Sequence, residues 1–123
     1  MNQNEPPADL KTRTKQLALR IIRLYTALPE NGPARVIGMQ LLRSGTSVGA
    51  QYREGVRSRS DAEFVSKPGS ALQELEETSY WLELLVESGI VPRPKLADLM
   101  AGADELTAIL TTCVKKTKAR VSP

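Results

Sequence analysis

The sequence predicts an all-α protein, an up-down-up-down antiparallel four-helix bundle. Hydrophobic residues make up 41% of the 123 residues and charged residues 25%, as in a folded domain. Aromatic residues are only 4%, so the core must be aliphatic and alanine-rich, which favours helices over a β-sandwich. Four amphipathic segments of about 20–28 residues are separated by short turn signals, and no alternating strand pattern competes with them. This length suits a single domain.

The first helical segment runs from about residue 8 to residue 28. Its apolar residues recur on one helical face, with Thr14 at the skipped step: Leu10, Leu17, Ile21, Leu24 and Leu28. Two prolines with an intervening glycine follow at residues 29–33, and they end the helix because proline cannot continue the hydrogen-bond ladder.

The second segment spans about residues 34–57. One face carries Ile37, Leu41, Ser44, Val48 and Tyr52. The glycines at positions 45 and 49 weaken the centre, because each costs ~1 kcal/mol relative to alanine in a helix, and a loop is the alternative. Small residues four positions apart also let another helix backbone approach closely. We therefore predict a helix across this stretch.

The third segment spans residues 60–87 and opens on a capping box formed by Ser60 and Glu63. Its buried face is predicted to contain Phe64, Ala71, Leu75, Thr78, Leu82 and Leu85. Pro68 interrupts this pattern, because an internal proline costs ~3 kcal/mol in a straight helix. The third helix is thus predicted to be kinked or broken near Pro68, as one bent helix or as two collinear helices.

The fourth segment follows Pro94 and carries a seam of alternating three- and four-residue steps: Leu96, Leu99, Ala103, Leu106, Leu110, Cys113 and Thr117. Cys113 is expected to be a small buried hydrophobe, because the chain has no histidine to activate it as a nucleophile. The predicted organisation is a disordered N-terminal tail at residues 1–7, the bundle at residues 8–118, and a C-terminal tail at residues 119–123.

Several function classes are excluded or disfavoured by composition. The chain has no histidine and one cysteine, so no metal site, no cofactor and no intrachain disulfide are expected. We expect no enzymatic activity. No signal peptide and no apolar run of the ~18 residues needed for a membrane span are recognisable, so we expect a cytoplasmic protein that does not engage a membrane.

Charge is distributed unevenly along the chain. Residues 1–60 carry ten Lys/Arg and four Asp/Glu, whereas residues 61–123 carry seven and ten. The candidate nucleic-acid-binding residues are Arg20, Arg23, Arg53, Arg57, Arg59, Lys115, Lys116 and Lys118. Aromatic residues for base stacking are scarce, so such binding would use the phosphate backbone. The alternative is an ordinary solvated charged surface.

A polar cluster is predicted between the second and third helices. Two carboxylates three residues apart, Glu74 and Glu77, suit either acid–base chemistry or pairing with arginines across the bundle. The residues expected to face one another are Arg43, Ser47, Gln51 and Glu54 on one helix and Glu74, Glu77 and Thr78 on the next. Removing one partner of a buried charged pair typically costs ~3–5 kcal/mol.

The third helix carries more apolar residues than one buried face needs. Tyr80, Trp81 and Leu84 lie beside the predicted core stripe. A subunit interface would bury them, and a wider core within one chain is the alternative. We predict a homo-oligomer.

Three segments, residues 43–54, 60–67 and 76–85, closely resemble the bacterial four-helix-bundle family also called the 23S rRNA intervening-sequence protein family. The resemblance extends over about residues 14–118. The resemblance implies a homopentamer. Some members of the family are encoded inside ribosomal RNA genes. In a related branch, the accessory proteins of diversity-generating retroelements, a basic pentamer binds a reverse transcriptase and nucleic acid. Gln51 and Pro68 depart from the family, which usually has asparagine and an aliphatic residue there.

These observations favour a non-enzymatic, oligomeric binding protein whose partner is RNA, DNA or a nucleoprotein containing a reverse transcriptase. The alternative is a protein–protein interaction scaffold with no role in nucleic-acid binding. The basic N-terminal half and the resemblance together favour the first hypothesis.

Overall fold

The computed structural model of the chain contains four α-helices, and it describes the backbone of residues 9–57 and 61–121 and the side chains of residues 10–57 and 69–119. The helices are α1 (Asp9–Ala27), α2 (Gly32–Val56), α3 (Asp61–Glu87) and α4 (Arg93–Val121). No strand occurs within these described ranges. The predicted fold class is therefore confirmed.

Each helix packs against the next one along the chain, and α1 makes only a limited contact with α4. Successive helices run in opposite directions. Two of the turns between them use a glycine with positive φ, Gly32 at +61° and Gly89 at +80°. Residues with a side chain rarely adopt this conformation, so glycine is required at both turns.

The core is aliphatic, as the composition predicts. The stripes on α1 and α2 are buried or packed against the core, and so is the described part of the stripe on α3. In α4 the seam shifts after Leu110, where Val114 is buried at 7% exposure and Cys113 is only half-buried. The prediction that Cys113 is buried is thus wrong. From Leu110 the buried seam continues through Val114 to Thr117, in steps of four and three residues, and not through Cys113 in steps of three and four.

Tyr52 belongs to the core near the end of α2, and its burial changes the pKa of its hydroxyl group. Burial raises the pKa of the Tyr52 hydroxyl above its ordinary value, and the charge of the Cys113 thiolate raises it further. The tyrosine is therefore neutral in the folded chain at ordinary pH.

The glycines of α2 allow α1 to approach closely, as predicted. A Cβ atom added to Gly45 would collide with the Ile21 side chain. A Cβ atom at Gly49 would lie 3.1 Å from the Thr14 hydroxyl oxygen. Helical packing against α1 thus overrides the low helix propensity of this stretch.

The third helix runs without interruption through Pro68 to Glu87. The predicted break into two helices is therefore wrong, and a kink within the single helix stays a prediction. Proline removes one backbone donor, and the packing of α3 on both α2 and α4 supplies the stabilisation that keeps the helix continuous. The capping box at Ser60 and the tail at residues 1–7 lie outside the described residues.

The fourth helix extends to Val121, so residues 119–121 are helical rather than part of a tail as predicted. Lys115, Lys116 and Lys118 precede this end, where cations interact favourably with the helix dipole. Across the residues that the structure describes, no helix is long and apolar enough to cross a membrane.

Candidate functional site

The up-down-up-down topology collects cations at one end of the bundle. The start of α1, the end of α2, the start of α3 and the end of α4 all lie there. We call this the basic end, and it consists of Lys11, Arg53, Arg57, Lys115, Lys116 and Lys118. All six side chains are exposed. The uneven charge along the sequence thus becomes a concentration of positive charge on one surface.

Five of the predicted nucleic-acid-binding residues belong to the basic end. Arg20 and Arg23 do not, because they lie farther along α1 towards the opposite end. Arg59 lies outside the described residues. Sequence reasoning missed Lys11, which the topology places beside the end of α2.

A direct contact ties two of these cations together. The Arg53 guanidinium donates from Nη2 to the backbone carbonyl of Lys11 at 3.4 Å. The acidic residues of this end include Glu54 in the last turn of α2 and Asp9 and Asp61 at the starts of α1 and α3, and the final described turns of α4 contain none. The opposite end is balanced, with Glu83, Glu87 and Asp98 near Arg93 and Lys95.

The predicted polar cluster forms an ion-pair network between α2 and α3. Arg43 donates from Nη2 to Glu77 Oε1 at 2.7 Å and from Nη1 to Glu74 Oε2 at 3.1 Å. Arg43 and Glu77 are about half exposed, at 49% and 46% of their side-chain surface, and Glu74 is 19% exposed. Both carboxylates pair with Arg43, which is one of the two alternatives that the sequence left open.

The remaining members of the polar cluster lie along the same seam. The hydroxyl groups of Thr78 and Ser44 are hydrogen bonded to each other at 2.9 Å in the interior. Ser47 donates to its own helix, at the carbonyl of Arg43. The Gln51 side-chain oxygen is buried without a partner among the described residues. Glu54 is exposed at the end of α2 and is not part of the Arg43 network.

Removing Glu77 tests the strength of this network. Glu77→Ala is expected to lower the melting temperature by about 3 °C more than Glu87→Ala, because a half-exposed pair contributes up to ~1 kcal/mol. This effect is smaller than that of the buried pair expected from the sequence. Glu87 serves for comparison, since it lies on the same helix without an ion pair in the described chain, and both variants are measured at a dilution at which the chains do not associate. Equal melting temperatures, measured by circular dichroism, would show that the network contributes nothing to stability.

The three residues predicted to form a subunit interface differ in exposure. Tyr80 is 53% exposed, whereas Leu84 is half-buried. Trp81 packs against the core cluster, and its indole nitrogen is buried without an acceptor in the described part of the chain. Tyr80 contacts Trp81 edge to face, with ring centroids 5.1 Å apart. Trp81 thus packs against the bundle while only partly buried, and its place in a subunit interface stays a prediction.

The exposed apolar surface extends beyond these residues. Val36 and Met39 on α2 are 64% and 51% exposed. They precede Arg43 by seven and four positions, and Tyr80 and Leu84 follow Glu77 by three and seven. Since α2 and α3 are antiparallel, both steps lead from the Arg43–Glu77 pair towards the same end of the bundle. Sequence reasoning missed the α2 part because these residues fall outside its helical stripe.

A cavity of about 400 Å³ opens near the balanced end, between the end of α1 and the connection from α3 to α4. Its walls are mostly apolar and include Leu24, Leu28, Val91 and Leu96. Lys95 is its ionisable residue. No group of residues suited to holding a metal ion occurs among the described residues.

The chain is similar to a known protein family and to a solved structure. Residues 8–112 match the family model described as 23S rRNA-intervening sequence protein. A crystal structure of a Bacteroides thetaiotaomicron protein of unknown function from the S23 ribosomal protein family is similar, with a TM-score of 0.81 and 36% sequence identity. The match covers 86% of this chain and 98% of that one. No curated protein matches the chain.

Proposed function

The chain belongs to the 23S rRNA-intervening sequence protein family, and on that premise we propose that it is a non-enzymatic, oligomeric binding protein that engages nucleic acid or a nucleoprotein through the basic end. The observation that carries the proposal is the presence of six exposed cations on three of the four helix ends that meet at one end of the bundle. Charges this close together create a local positive potential that the formal net charge of +3 understates.

Phosphate recognition is the chemistry that such a surface supplies. Lysine and arginine neutralise phosphates and release condensed counterions, which drives binding irrespective of base sequence. Among the side chains that the structure describes at the basic end, none is an exposed aromatic on which bases could stack. The expected ligand is therefore the backbone of structured RNA or duplex DNA, either free or within a complex that contains a reverse transcriptase.

Oligomerisation strengthens this binding. Copies related by rotation about an axis parallel to the helices would carry their basic ends on one side of the assembly. Several basic ends acting together raise the effective affinity well above that of one chain. A cytoplasmic homopentamer, as the family resemblance implies, is the assembly that we propose.

The test compares two variants that make the same charge change at opposite ends of α4. Lys116→Glu/Lys118→Glu alters the basic end, and Arg93→Glu/Lys95→Glu alters the balanced end. We expect the first variant to bind RNA and DNA at least ~10-fold more weakly than the second and to reduce the slope of log affinity against log salt by about 2. Filter binding at rising salt measures both quantities.

Two outcomes would contradict the proposal. Equal losses in both variants would show that net charge alone governs binding. Absence of binding by the unmodified protein at about 50 mM salt would eliminate a phosphate-driven interaction. A protein partner recovered after nuclease treatment would then favour the interaction scaffold.

A further inference from the structure

The outward face of α1 is basic and partly apolar. Residues 10–27 contain five Lys or Arg and no Asp or Glu. Leu19 and Ile22 on this face are 41% and 42% exposed. Lys15 and Arg23 flank Leu19 at four-residue spacing, so the three side chains project from the same side of the helix. We call this surface the α1 face, formed by Lys15, Leu19, Ile22 and Arg23.

The outward face of α3 has the opposite charge. Residues 69–87 contain five Glu and no Lys or Arg. Tyr80 is 53% exposed, and Glu83 and Glu87 follow it at three- and four-residue steps. We call this surface the α3 face, formed by Tyr80, Glu83, Leu84 and Glu87.

These two faces do not neutralise each other within one chain. Both helices pack on α2, and they make no contact with each other in the described structure. The ion pairs that these helices form use Arg13, Glu74 and Glu77. The charged residues of the two faces have no ion-pair partner in the described part of the chain.

The two faces also overlap in height along the bundle. The Ile21 side chain meets α2 at Gly45, and the Thr78 hydroxyl bonds to the neighbouring Ser44. The middle of α1 and the middle of α3 are therefore level with each other. Because α1 and α3 run in the same direction, Arg23 lies about level with Tyr80 and within one turn of Glu83, whereas Lys15 lies farther towards the basic end. A rotation about an axis parallel to the helices would bring the Ile22 and Arg23 end of the α1 face opposite the start of the α3 face of the next copy.

We propose that copies of this chain associate through the α1 face of one copy and the α3 face of its neighbour. This contact rests on the oligomerisation proposed above and specifies how it occurs. It pairs Arg23 with Glu83, adds the positive charge of Lys15 to the same contact at longer range, and buries the exposed apolar side chains where the two faces overlap. Because the two surfaces differ, the contact is heterologous, and repeated rotation closes such contacts into a ring.

The distribution of exposed apolar side chains agrees with this arrangement. Among the described side chains, the large hydrophobic residues that remain exposed lie on α1, α2 and α3 and not on α4. In a ring joined by the α1 and α3 faces, α2 lies between the two contacts. The polar outer surface of α4 then faces solvent.

Two variants each remove one face. In the first, Lys15→Glu/Leu19→Glu/Arg23→Glu makes the α1 face acidic. In the second, Tyr80→Gln/Glu83→Gln/Glu87→Gln removes the exposed tyrosine and the two negative charges of the α3 face. The control, Asp98→Asn/Asp104→Asn, removes two carboxylates from the exposed surface of α4. Light scattering, without nucleic acid, measures the mass of each protein at about 50 µM, a concentration chosen above typical micromolar affinities.

We expect each face variant to have the mass of one chain and the control to keep the mass of the unmodified protein. An equimolar mixture of the two face variants should give twice the mass of one chain, because each contributes its intact face and no further copy can add. A mixture that stays monomeric, or single variants that keep the unmodified mass, would overturn the proposal.

The measured masses distinguish a failure of this contact from a failure of the proposals on which it rests. An unmodified protein of 13.5 kDa would contradict oligomerisation itself. A larger mass that neither variant changes would contradict this contact alone, and failure to bind nucleic acid would leave all these masses as expected. If a triple variant loses helical content by circular dichroism, Leu19→Gln and Tyr80→Gln replace it with the same expected masses.

Discussion

Replacing Gly45 with valine lowers the melting temperature by about 10 °C, because overpacking at a helix contact costs on the order of 3 kcal/mol. A Cβ atom at this position would collide with the tip of Ile21, and it would lie 3.1 Å from Ile21 Cγ2 and 3.4 Å from Ile21 Cβ. Ile21 is fully buried, so its side chain has no free space into which to move. The α1 and α2 helices must therefore separate. Thermal unfolding followed by circular dichroism measures the change.

Gly102→Val is the matched control for this prediction. At Gly102 the nearest atom to an added Cβ is Arg20 Nη1 at 3.8 Å, the far end of a flexible side chain. We expect the control to change stability by less than ~0.5 kcal/mol. Equal effects at both positions would show that the close approach of α1 is not what requires glycine at position 45.

Replacing Trp81 with glutamate destabilises the folded chain by about 3–5 kcal/mol, the usual cost of losing a large packed side chain. Trp81 packs against the core cluster, and its indole nitrogen is shielded from solvent. The substitution removes these contacts and places a carboxylate in an apolar environment. Chemical denaturation, analysed for the free energy of unfolding, measures the loss.

Tyr80→Glu is the comparison, because Tyr80 neighbours Trp81 and is 53% exposed. Its substitution is expected to leave the free energy of unfolding of the single chain nearly unchanged while weakening association. If Trp81→Glu instead retained the stability of the folded chain and lost only association, Trp81 would belong to the subunit interface, as the sequence first suggested.

The periodicity of apolar residues predicts most of the fold because burial of one face determines where each helix lies. It also predicts the pairing of Arg43 with Glu77, since antiparallel neighbours bring these positions together. It fails near the end of α4, where Val114 replaces Cys113 in the core. A choice between adjacent positions depends on the local geometry of the neighbouring helices, which spacing alone does not contain.

The candidate site is less predictable from the sequence, because it depends on topology. Lys11 and Lys116 are more than a hundred positions apart, yet both belong to the basic end. Arg20 has the same chemistry but lies farther along α1. The α1 face cannot be predicted from periodicity, because Leu19 and Ile22 lie outside the buried stripe of α1. Their exposure indicates an interface only when it is considered together with the oppositely charged α3 face.

The central claim is that an assembly of basic ends binds nucleic acid, and the variant Tyr80→Gln/Glu83→Gln/Glu87→Gln tests it most directly. This variant has two fewer negative charges per chain than the unmodified protein, so electrostatics alone predicts that it binds RNA more tightly. The account predicts the opposite, a loss of at least ~10-fold in affinity at equal chain concentration and low salt, because a single basic end lacks multivalent contact. Fluorescence anisotropy with labelled structured RNA measures both affinities, and equal or tighter binding by the variant would contradict the account.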